Sequence, residues 1–182
     1  MVGIRAFGAY IPKFRLTRAT QGWGSPVERA VASFDEDSVT MAVAGGLDCL
    51  HGMDRKAVDG LLFATTTAPY FEKQSAATIA AALDLRGDIF SEDLAGSLRA
   101  GTSALRSACD AVRGGSARAV LLTAGDCRMA YPRSDTERNL GDGAAAVLIS
   151  DTDVAVEIEA HYFLTDHMLD VWRATTDPFV RT

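Results

Sequence analysis

The chain lacks the features that define several classes of protein. Its 182 residues include only three cysteines, Cys49, Cys109 and Cys127, with no C-x-x-C pair, which argues against a disulfide framework or a zinc site. No apolar run approaches the ~20 residues that a membrane span requires. The first residues have no apolar stretch followed by small residues, as a secretory signal would. We therefore expect a cytoplasmic protein with no membrane partner.

Positive charge is also scarce. The sequence has 18 Lys and Arg residues against 24 Asp and Glu, a net charge of −6, which argues against nucleic acid as a partner. One local basic cluster stands out, Lys13, Arg15 and Arg18, followed by Arg29. These residues either belong to a solvated loop or contact the anionic tail of a cofactor. The 48% hydrophobic and 23% charged content is typical of a globular domain.

Apolar periodicity predicts strands and helices in alternation. The predicted helices cover residues 38–53, 74–85 and 98–112, and the predicted strands cover residues 2–10, 58–66, 88–92, 119–124, 144–149 and 154–158. This order indicates an α/β fold with a mostly parallel sheet and crossover helices. The last two strands are predicted to form an antiparallel hairpin.

Three local features refine the helices. The acidic run 35–37 favours a helix start at Ser38, and Gly114 with Gly115 favours a stop after Val112. Cys49 and Cys109 lie on or beside apolar stripes, which predicts that both pack in the core. The small and apolar stripe of helix 98–112 predicts that this helix is buried near the centre of the fold.

Four segments, in order along the chain, carry a family resemblance: DEDSVTMA at 35–42, DLAGSLRAGT at 93–102, LGDGAAAV at 140–147 and DVWR at 170–173. Together they resemble the N-terminal half of HMG-CoA synthases, which are thiolase-superfamily condensing enzymes related to ketoacyl synthase III. The resemblance implies one βαβαβαββ half of a layered α-β-α-β-α sandwich. Residues 1–160 would form that half, and residues 161–182 would begin the connection to a second half that is absent from this chain.

The resemblance also implies partners. Family members are usually dimeric, and their second half supplies a catalytic histidine. His51, His161 and His167 do not lie in a matching context. We expect the chain to pair with another copy or with a separate thiolase-like half, and dimerisation through residues 119–124 is the favoured symmetric route. Some relatives also carry an OB-fold and zinc-ribbon companion.

Two positions decide the chemistry that the resemblance implies. A condensing enzyme needs a cysteine at a helix N-terminus, where the dipole lowers the thiol pKa and backbone amides form an oxyanion hole. Here the matching position is Leu98, which cannot be acylated. The glutamate that acts as general acid–base corresponds to Thr66, which cannot transfer protons near neutral pH. The classical catalytic pair is therefore not intact.

Other residues remain candidates. The matching loops suggest an acyl-CoA cleft formed by Ser97, Leu98, Arg29, Gly141 and Gly143, with a coenzyme A thioester as ligand and neither a covalent cofactor nor a metal. Ser97 is an alternative nucleophile, although no base is visible to activate it. Cys127 is another, although burial beside Asp126 would raise the pKa of its thiol.

Four functions are consistent with these residues. The first is an acyltransferase of lipid metabolism, similar to HMG-CoA synthase by descent. The second is a non-catalytic acyl-CoA-binding or scaffold subunit of a larger complex. The third is an enzyme that cleaves or decarboxylates a substrate without a thiolate. A purely structural domain is the fourth. Leu98 and Thr66 favour the second and third over classical condensation.

Overall fold

A computed structural model describes residues 1–17, 28–168 and 171–181. Its strands are β1 (Gly3–Tyr10), β2 (Phe14–Leu16), β3 (Arg29–Val31), β4 (Gly60–Thr65), β5 (Phe90–Ala95), β6 (Ala119–Asp126), β7 (Gly143–Ser150) and β8 (Val156–Glu157). Its helices are α1 (Ser38–Cys49), α2 (Ser75–Ala82), α3 (Ala100–Arg113) and α4 (Asp135–Asn139), with a short 3-10 turn at Arg55–Ala57. Apart from the added strands β2 and β3 and the short helix α4, the elements follow the predicted order, in which strands and helices alternate through α3 and three strands follow.

The strands form one mixed sheet in the order β5-β4-β6-β7-β1-β8, beside a separate β2–β3 ladder. Strands β5, β4 and β6 are parallel, and the remaining pairs are antiparallel. The prediction of a mostly parallel sheet is therefore wrong, because three of the five described strand pairs of this sheet are antiparallel. The predicted hairpin is wrong, because β1 lies between β7 and β8 and Val156 pairs with Ile4. Dimerisation through residues 119–124 is also wrong as a sheet-edge route, because both edges of β6 are already paired within the sheet.

Apolar layers cover both faces of the sheet. Leu61 and Phe63 of β4 point toward α1 and α2, whereas Leu62 and Ala64 point toward α3. Successive side chains of β4 point to opposite faces of the sheet. Its continuous apolar run therefore contributes to both cores, as expected for a strand buried on both faces. Among the described residues, no helix is long and apolar enough to cross a bilayer.

The first helix begins as predicted. Asp37 caps α1, because its carboxylate accepts hydrogen bonds from the N–H groups of Val39 (3.0 Å) and Thr40 (2.8 Å). The Thr40 hydroxyl in turn accepts from the Asp37 N–H at 2.7 Å, which completes a capping box. The helix ends at Cys49, four residues before the predicted end. Cys49 is buried in the core, as predicted.

The third helix differs from expectation at its start. It begins at Ala100, so that Leu98 lies in the preceding turn with 55% of its surface exposed. Ala104, Ala108 and Cys109 face the sheet, and the opposite face of the helix is open to solvent. Only one side of this helix is therefore buried within the chain. Gly114 caps its C-terminus.

Candidate functional site

A carboxylate joins the ends of two neighbouring parallel strands. Asp126 ends β6, and the Thr65–Thr67 run ends β4. The Asp126 carboxylate accepts hydrogen bonds from the three threonine hydroxyls at 2.9–3.0 Å and from the Thr66 N–H at 2.7 Å. Charge-assisted bonds of this kind are stronger than neutral ones. They fix the position of Thr66 and commit its hydroxyl as a donor to Asp126.

Thr66 and Leu98, the two positions that the resemblance singles out, face one cavity. Thr66 and Leu98 both line a space of about 230 Å³ at the C-terminal ends of the parallel strands. Ligands in open α/β sheets bind outside these strand ends. The remaining lining residues are Gly96, Arg128, Met129, Val171, Trp172, Arg173 and Val180. The structure thus brings together the two positions that the sequence singled out and adds residues that it did not.

Residues 171–181 form one wall of this cavity. The Val180 N–H donates to the Met129 carbonyl at 2.9 Å, and Trp172 and Arg181 exchange backbone hydrogen bonds of 3.0 and 2.8 Å. Val180 is only 5% exposed. The Tyr131 and Phe179 rings lie 4.9 Å apart. This segment, which shows no regular pattern in the sequence, therefore packs against the body of the domain. The first residue of the DVWR motif lies outside the described residues.

The turn before α3 has the geometry of a loop that presents a side chain to a cleft. Gly96 has a φ of +76°, a conformation that favours glycine, and its N–H donates to the Thr65 carbonyl at 3.2 Å. Ser97 is exposed, and its hydroxyl accepts a hydrogen bond from the Arg99 N–H at 3.1 Å. Within the described residues, this hydroxyl has no basic partner that would activate it.

A second cavity of about 380 Å³ adjoins the first and shares Thr66, Gly96 and Arg173 with it. Tyr70 and Phe71 provide aromatic walls, and the other lining residues are Ala68, Ala95, Ala174, Thr175 and Asp177. The shared residues make the two spaces neighbours around Arg173, whose guanidinium lies 3.4 Å from the Thr66 carbonyl.

The remaining cleft candidates lie in another cluster. Arg29 donates to the Leu140 carbonyl, and the Asp142 N–H donates to the Ala30 carbonyl at 3.1 Å. The Ala32 N–H donates to the Asp142 carboxylate at 2.8 Å, and burial raises the pKa of this carboxyl. Gly141 and Gly143 flank Asp142, so these residues hold β3 against the glycine-rich turn. None of them lines the cavity beside Leu98. Their contact with a ligand stays a prediction.

The basic cluster near the N-terminus is partly described. Lys13 and Arg15 are exposed, and Arg15 donates to the Phe14 carbonyl at 2.8 Å. Arg18 lies outside the described residues. The two described side chains do not line the cavity beside Leu98.

Cys127 follows Asp126 but does not line the cavity. Burial is the main cause that raises the pKa of its thiol, and the carboxylates of Asp142, Asp126 and Asp37 add to the effect. The direction predicted from the sequence is therefore confirmed, and the thiol is a poor nucleophile. The three histidines are exposed and lie away from the cavity lining. No group of three or more potential metal ligands occurs among the described residues.

Comparison with known proteins shows similarity to hydroxymethylglutaryl-CoA synthases over about half of their length. No family model matches it. It is 28% identical to hydroxymethylglutaryl-CoA synthase of Archaeoglobus fulgidus over 98% of its own length and 56% of the relative. It is 30% identical to the enzyme of the same name from Caldivirga maquilingensis, over 98% of its length and 55% of the relative. The chain thus spans about half the length of the curated relatives that it matches.

Solved structures show the same fold. A crystal structure of HMG-CoA synthase complexed with CoA superposes with a TM-score of 0.89 at 20% identity, over 99% of this chain and 50% of that chain. The β-ketoacyl-[acyl carrier protein] synthase III from Thermus thermophilus gives a TM-score of 0.72 at 26% identity, over 82% and 51% of the two chains.

Proposed function

The chain is a half-length relative of the HMG-CoA synthases with one half of the thiolase-type fold, and on this premise we propose that it binds a coenzyme A thioester without forming an acyl-enzyme. The observation that supports the proposal is the shared cavity of Thr66 and Leu98. A leucine side chain has no nucleophilic atom, so the cavity can receive an acyl group but cannot bond to it.

The threonine at the second position supports the same conclusion. A general acid–base group must exchange a proton near the working pH, and a threonine hydroxyl does not. The Thr66 hydroxyl is in addition bound to Asp126 at 3.0 Å. Leu98, Met129 and Trp172 give the cavity an apolar surface suited to an acyl chain. Ligand binding is retained in this proposal, whereas thiolate chemistry is not.

A role as a subunit of a larger complex is the second candidate. The exposed face of α3 and the exposed side chains of Tyr162, Leu164 and Met168 favour it, because large apolar side chains gathered in one segment are typical of interaction surfaces. The occupant would be a second copy or a separate thiolase-like half, and an OB-fold and zinc-ribbon protein is a further candidate. In this proposal, residues 1–160 form one half, and the protein acts in the cytoplasm in lipid metabolism.

The test measures binding and covalent labelling together. The chain is titrated with acetyl-CoA by calorimetry, and its intact mass is then recorded. We expect saturable binding and an unchanged mass. A Leu98→Trp variant, which fills the cavity, should lose binding. The matched control is Leu47→Trp, because Leu47 is also a partly exposed leucine but lies in α1, away from the cavity.

Two outcomes would contradict the proposal. Absence of any saturable binding would remove the role in handling acyl-CoA. A stable mass increase of one acetyl group, mapped to Ser97 or Cys127, would restore an enzyme with a displaced nucleophile. Far-ultraviolet circular dichroism of each variant separates loss of binding from loss of folding.

A further inference from the structure

Three arginines form a stripe on the exposed side of α3. Arg99, Arg106 and Arg113 follow one another at intervals of seven residues, which is close to two helical turns, so their side chains leave the helix on the same face. All three are exposed, whereas Ala104 and Ala108 pack against the sheet. With a rise of about 1.5 Å per residue, this arginine stripe is about 21 Å long. It therefore offers guanidinium groups along the whole length of the helix.

Residues 158–164, here called the strap, lie along the arginine stripe without forming a helix or strand. The Arg113 guanidinium donates to the Ile158 carbonyl at 2.7 Å, and the Arg99 guanidinium donates to the Leu164 carbonyl at 2.9 Å. The chain between these two carbonyls spans about 20 Å when it is extended, which matches the length of the stripe. The strap therefore runs antiparallel to α3 and is held at both ends.

Aromatic rings hold the middle of the strap. The Arg106 guanidinium lies 5.6 Å from the centre of the Phe163 ring, and the His161 and Phe163 rings stack at 5.9 Å. The His161 Nε2 lies 3.1 Å from a guanidinium nitrogen of Arg113. Because arginine can only donate a hydrogen bond, Nε2 is the acceptor, and the proton of the neutral ring is on Nδ1. The tautomer of His161 thus reports whether the strap is docked.

The strap is held weakly. Its hydrogen bonds to α3 are exposed, and Ile158, at its start, is the strap residue that packs against a core. Exposed hydrogen bonds and cation–π contacts each contribute little to stability, and every residue that becomes ordered loses conformational entropy. Because these opposing contributions are of similar size, the strap can dock and detach while the domain stays folded.

We propose that the arginine stripe docks the strap and thereby restrains residues 171–181, which form a wall of the cavity beside Leu98. The strap ends at Leu164 and the wall begins at Val171, so a docked strap anchors the chain shortly before the wall. The three arginines are positioning residues, because they act on the cavity without lining it. The consequence for ligand affinity rests on the proposed function, whereas the restraint on the wall does not.

The length of the connection between strap and wall sets the size of the effect. When the strap is docked, residues 165–170 form this connection. When the strap is released, the connection comprises residues 159–170 and is twice as long. The entropy cost of closing a loop rises with the logarithm of its length, and a doubling changes the closing equilibrium about threefold. Release of the strap should therefore make opening of the wall about threefold more favourable.

The test uses NMR to compare the ligand-free chain with the double variant Arg99→Gln/Arg113→Gln. Hydrogen exchange of the Val180 amide, which donates to the Met129 carbonyl, should be about threefold faster in the variant. The nitrogen shifts of His161 at pH 8 should show the Nδ1–H tautomer in the unsubstituted chain and lose that preference in the variant.

Two references isolate the strap from general effects on the fold. Arg55→Gln removes another arginine that donates to a backbone carbonyl, that of Leu83 at 3.0 Å, and it should change neither measurement. The exchange rate of Val180 is read relative to that of Leu121, because Leu121 lies buried in the central strand β6 and its amide exchanges through global unfolding.

A second variant keeps every arginine. Six glycine and serine residues inserted after Thr165 double the connection between the docked strap and the wall. Val180 exchange should again be about threefold faster, while His161 keeps the Nδ1–H tautomer because the strap stays docked. Agreement between the two variants identifies the length of the connection as the cause, and not the loss of arginine charge.

Three results would decide against the proposal or the function beside it. If the tautomer of His161 is the same with and without Arg113, the arginine stripe does not hold the strap and the proposal is overturned. If neither variant changes Val180 exchange, the strap does not restrain the wall, which overturns it as well. If both measurements behave as expected but acetyl-CoA does not bind, the restraint stands and the acyl-CoA function fails.

Discussion

The Asp126 carboxylate accepts hydrogen bonds from both the backbone N–H (2.7 Å) and the hydroxyl (3.0 Å) of Thr66. Thr66 belongs to the segment after β4 and Asp126 to the end of β6, so a single carboxylate fixes the relative position of two strand ends. The cavity begins at this point. The carboxylate does not line the cavity, but it positions Thr66, which does.

Removing this carboxylate should destabilise the domain. In Asp126→Ala, three threonine hydroxyls and one N–H lose their acceptor, and hydrogen bonds to a charged group contribute about 1.5–3 kcal/mol each. Because such losses are not additive, we expect the free energy of unfolding, measured with urea, to fall by about 2–4 kcal/mol in total. Asp151→Ala, at an exposed turn, should change it by less than about 0.5 kcal/mol. Equal effects would show that the Asp126 contacts contribute little.

Gly8 should tolerate no side chain. A Cβ there would lie 2.2 Å from the Cys49 nitrogen and 2.5 Å from the Gly45 carbonyl oxygen, both backbone atoms of α1. Gly8→Ala must therefore push the helix from the sheet, and we expect a loss of about 3 kcal/mol or more in the free energy of unfolding. A Cβ at Gly87 meets nothing within 4 Å, so Gly87→Ala is the control. A stable Gly8→Ala variant would contradict the close approach of β1 and α1.

Alkaline pH should weaken the fold through Cys49. Burial raises the pKa of this thiol from 9.0 to about 11. Between these values the unfolded chain releases the proton and the folded chain retains it, so stability is full below pH 9 and falls as pH rises to about 11. Urea unfolding near pH 8 and near pH 11 measures the loss. Cys49→Ala should be less stable than the unsubstituted chain near pH 8. It should also lose less of its unfolding free energy between pH 8 and pH 11. An identical pH dependence in both proteins would rule out this contribution.

Self-association is expected from the exposed apolar side chains. Tyr162 is 88% exposed and Met168 76%, and the curated relatives of the chain are about twice its length. We expect sedimentation at micromolar concentration to show a dimer or larger species. Substituting Tyr162, Leu164 and Met168 with serine should shift the population toward the monomer. A monodisperse 19.3 kDa species that unfolds cooperatively would contradict this prediction.

Local features of the fold were predictable from the sequence. The capping box at Asp37 depends on residues three apart, and the apolar run of β4 reports burial on both faces directly. The position of β1 was not predictable in this way. Strand 154–158 and strand 144–149 are neighbours in the chain and suggest a hairpin, but β1 pairs with both from more than a hundred residues away. Such pairings depend on which strand packs best against the free edge of β7, and apolar periodicity does not identify that strand.

The candidate site was likewise predictable only where its residues belong to contiguous motifs. Leu98 and Thr66 follow from motifs whose residues are contiguous, and the structure places both on one cavity. Arg128 and Val180 both line the cavity because a backbone bridge between residues 130 and 180 brings their segments together. Neither segment has a helical or strand period, so periodicity does not predict that they pair. Trp172 and Arg173 were visible as a motif, but their place on the cavity wall depends on that bridge.

The bridge between residues 130 and 180 makes the segment 171–181 part of the wall of the cavity in which we propose that a ligand binds. A ligand that contacts Trp172 and Arg173 binds the docked form of this segment more tightly than the undocked form, so occupancy and docking must favour each other to the same extent. Saturating ligand should therefore slow amide hydrogen exchange at Val180, whose N–H donates to the Met129 carbonyl, and at Trp172, whose N–H donates to the Arg181 carbonyl within the segment. Conversely, any partner that pulls this segment from Met129 would release the ligand, and the affinity of the cavity would then report on the assembly of the protein.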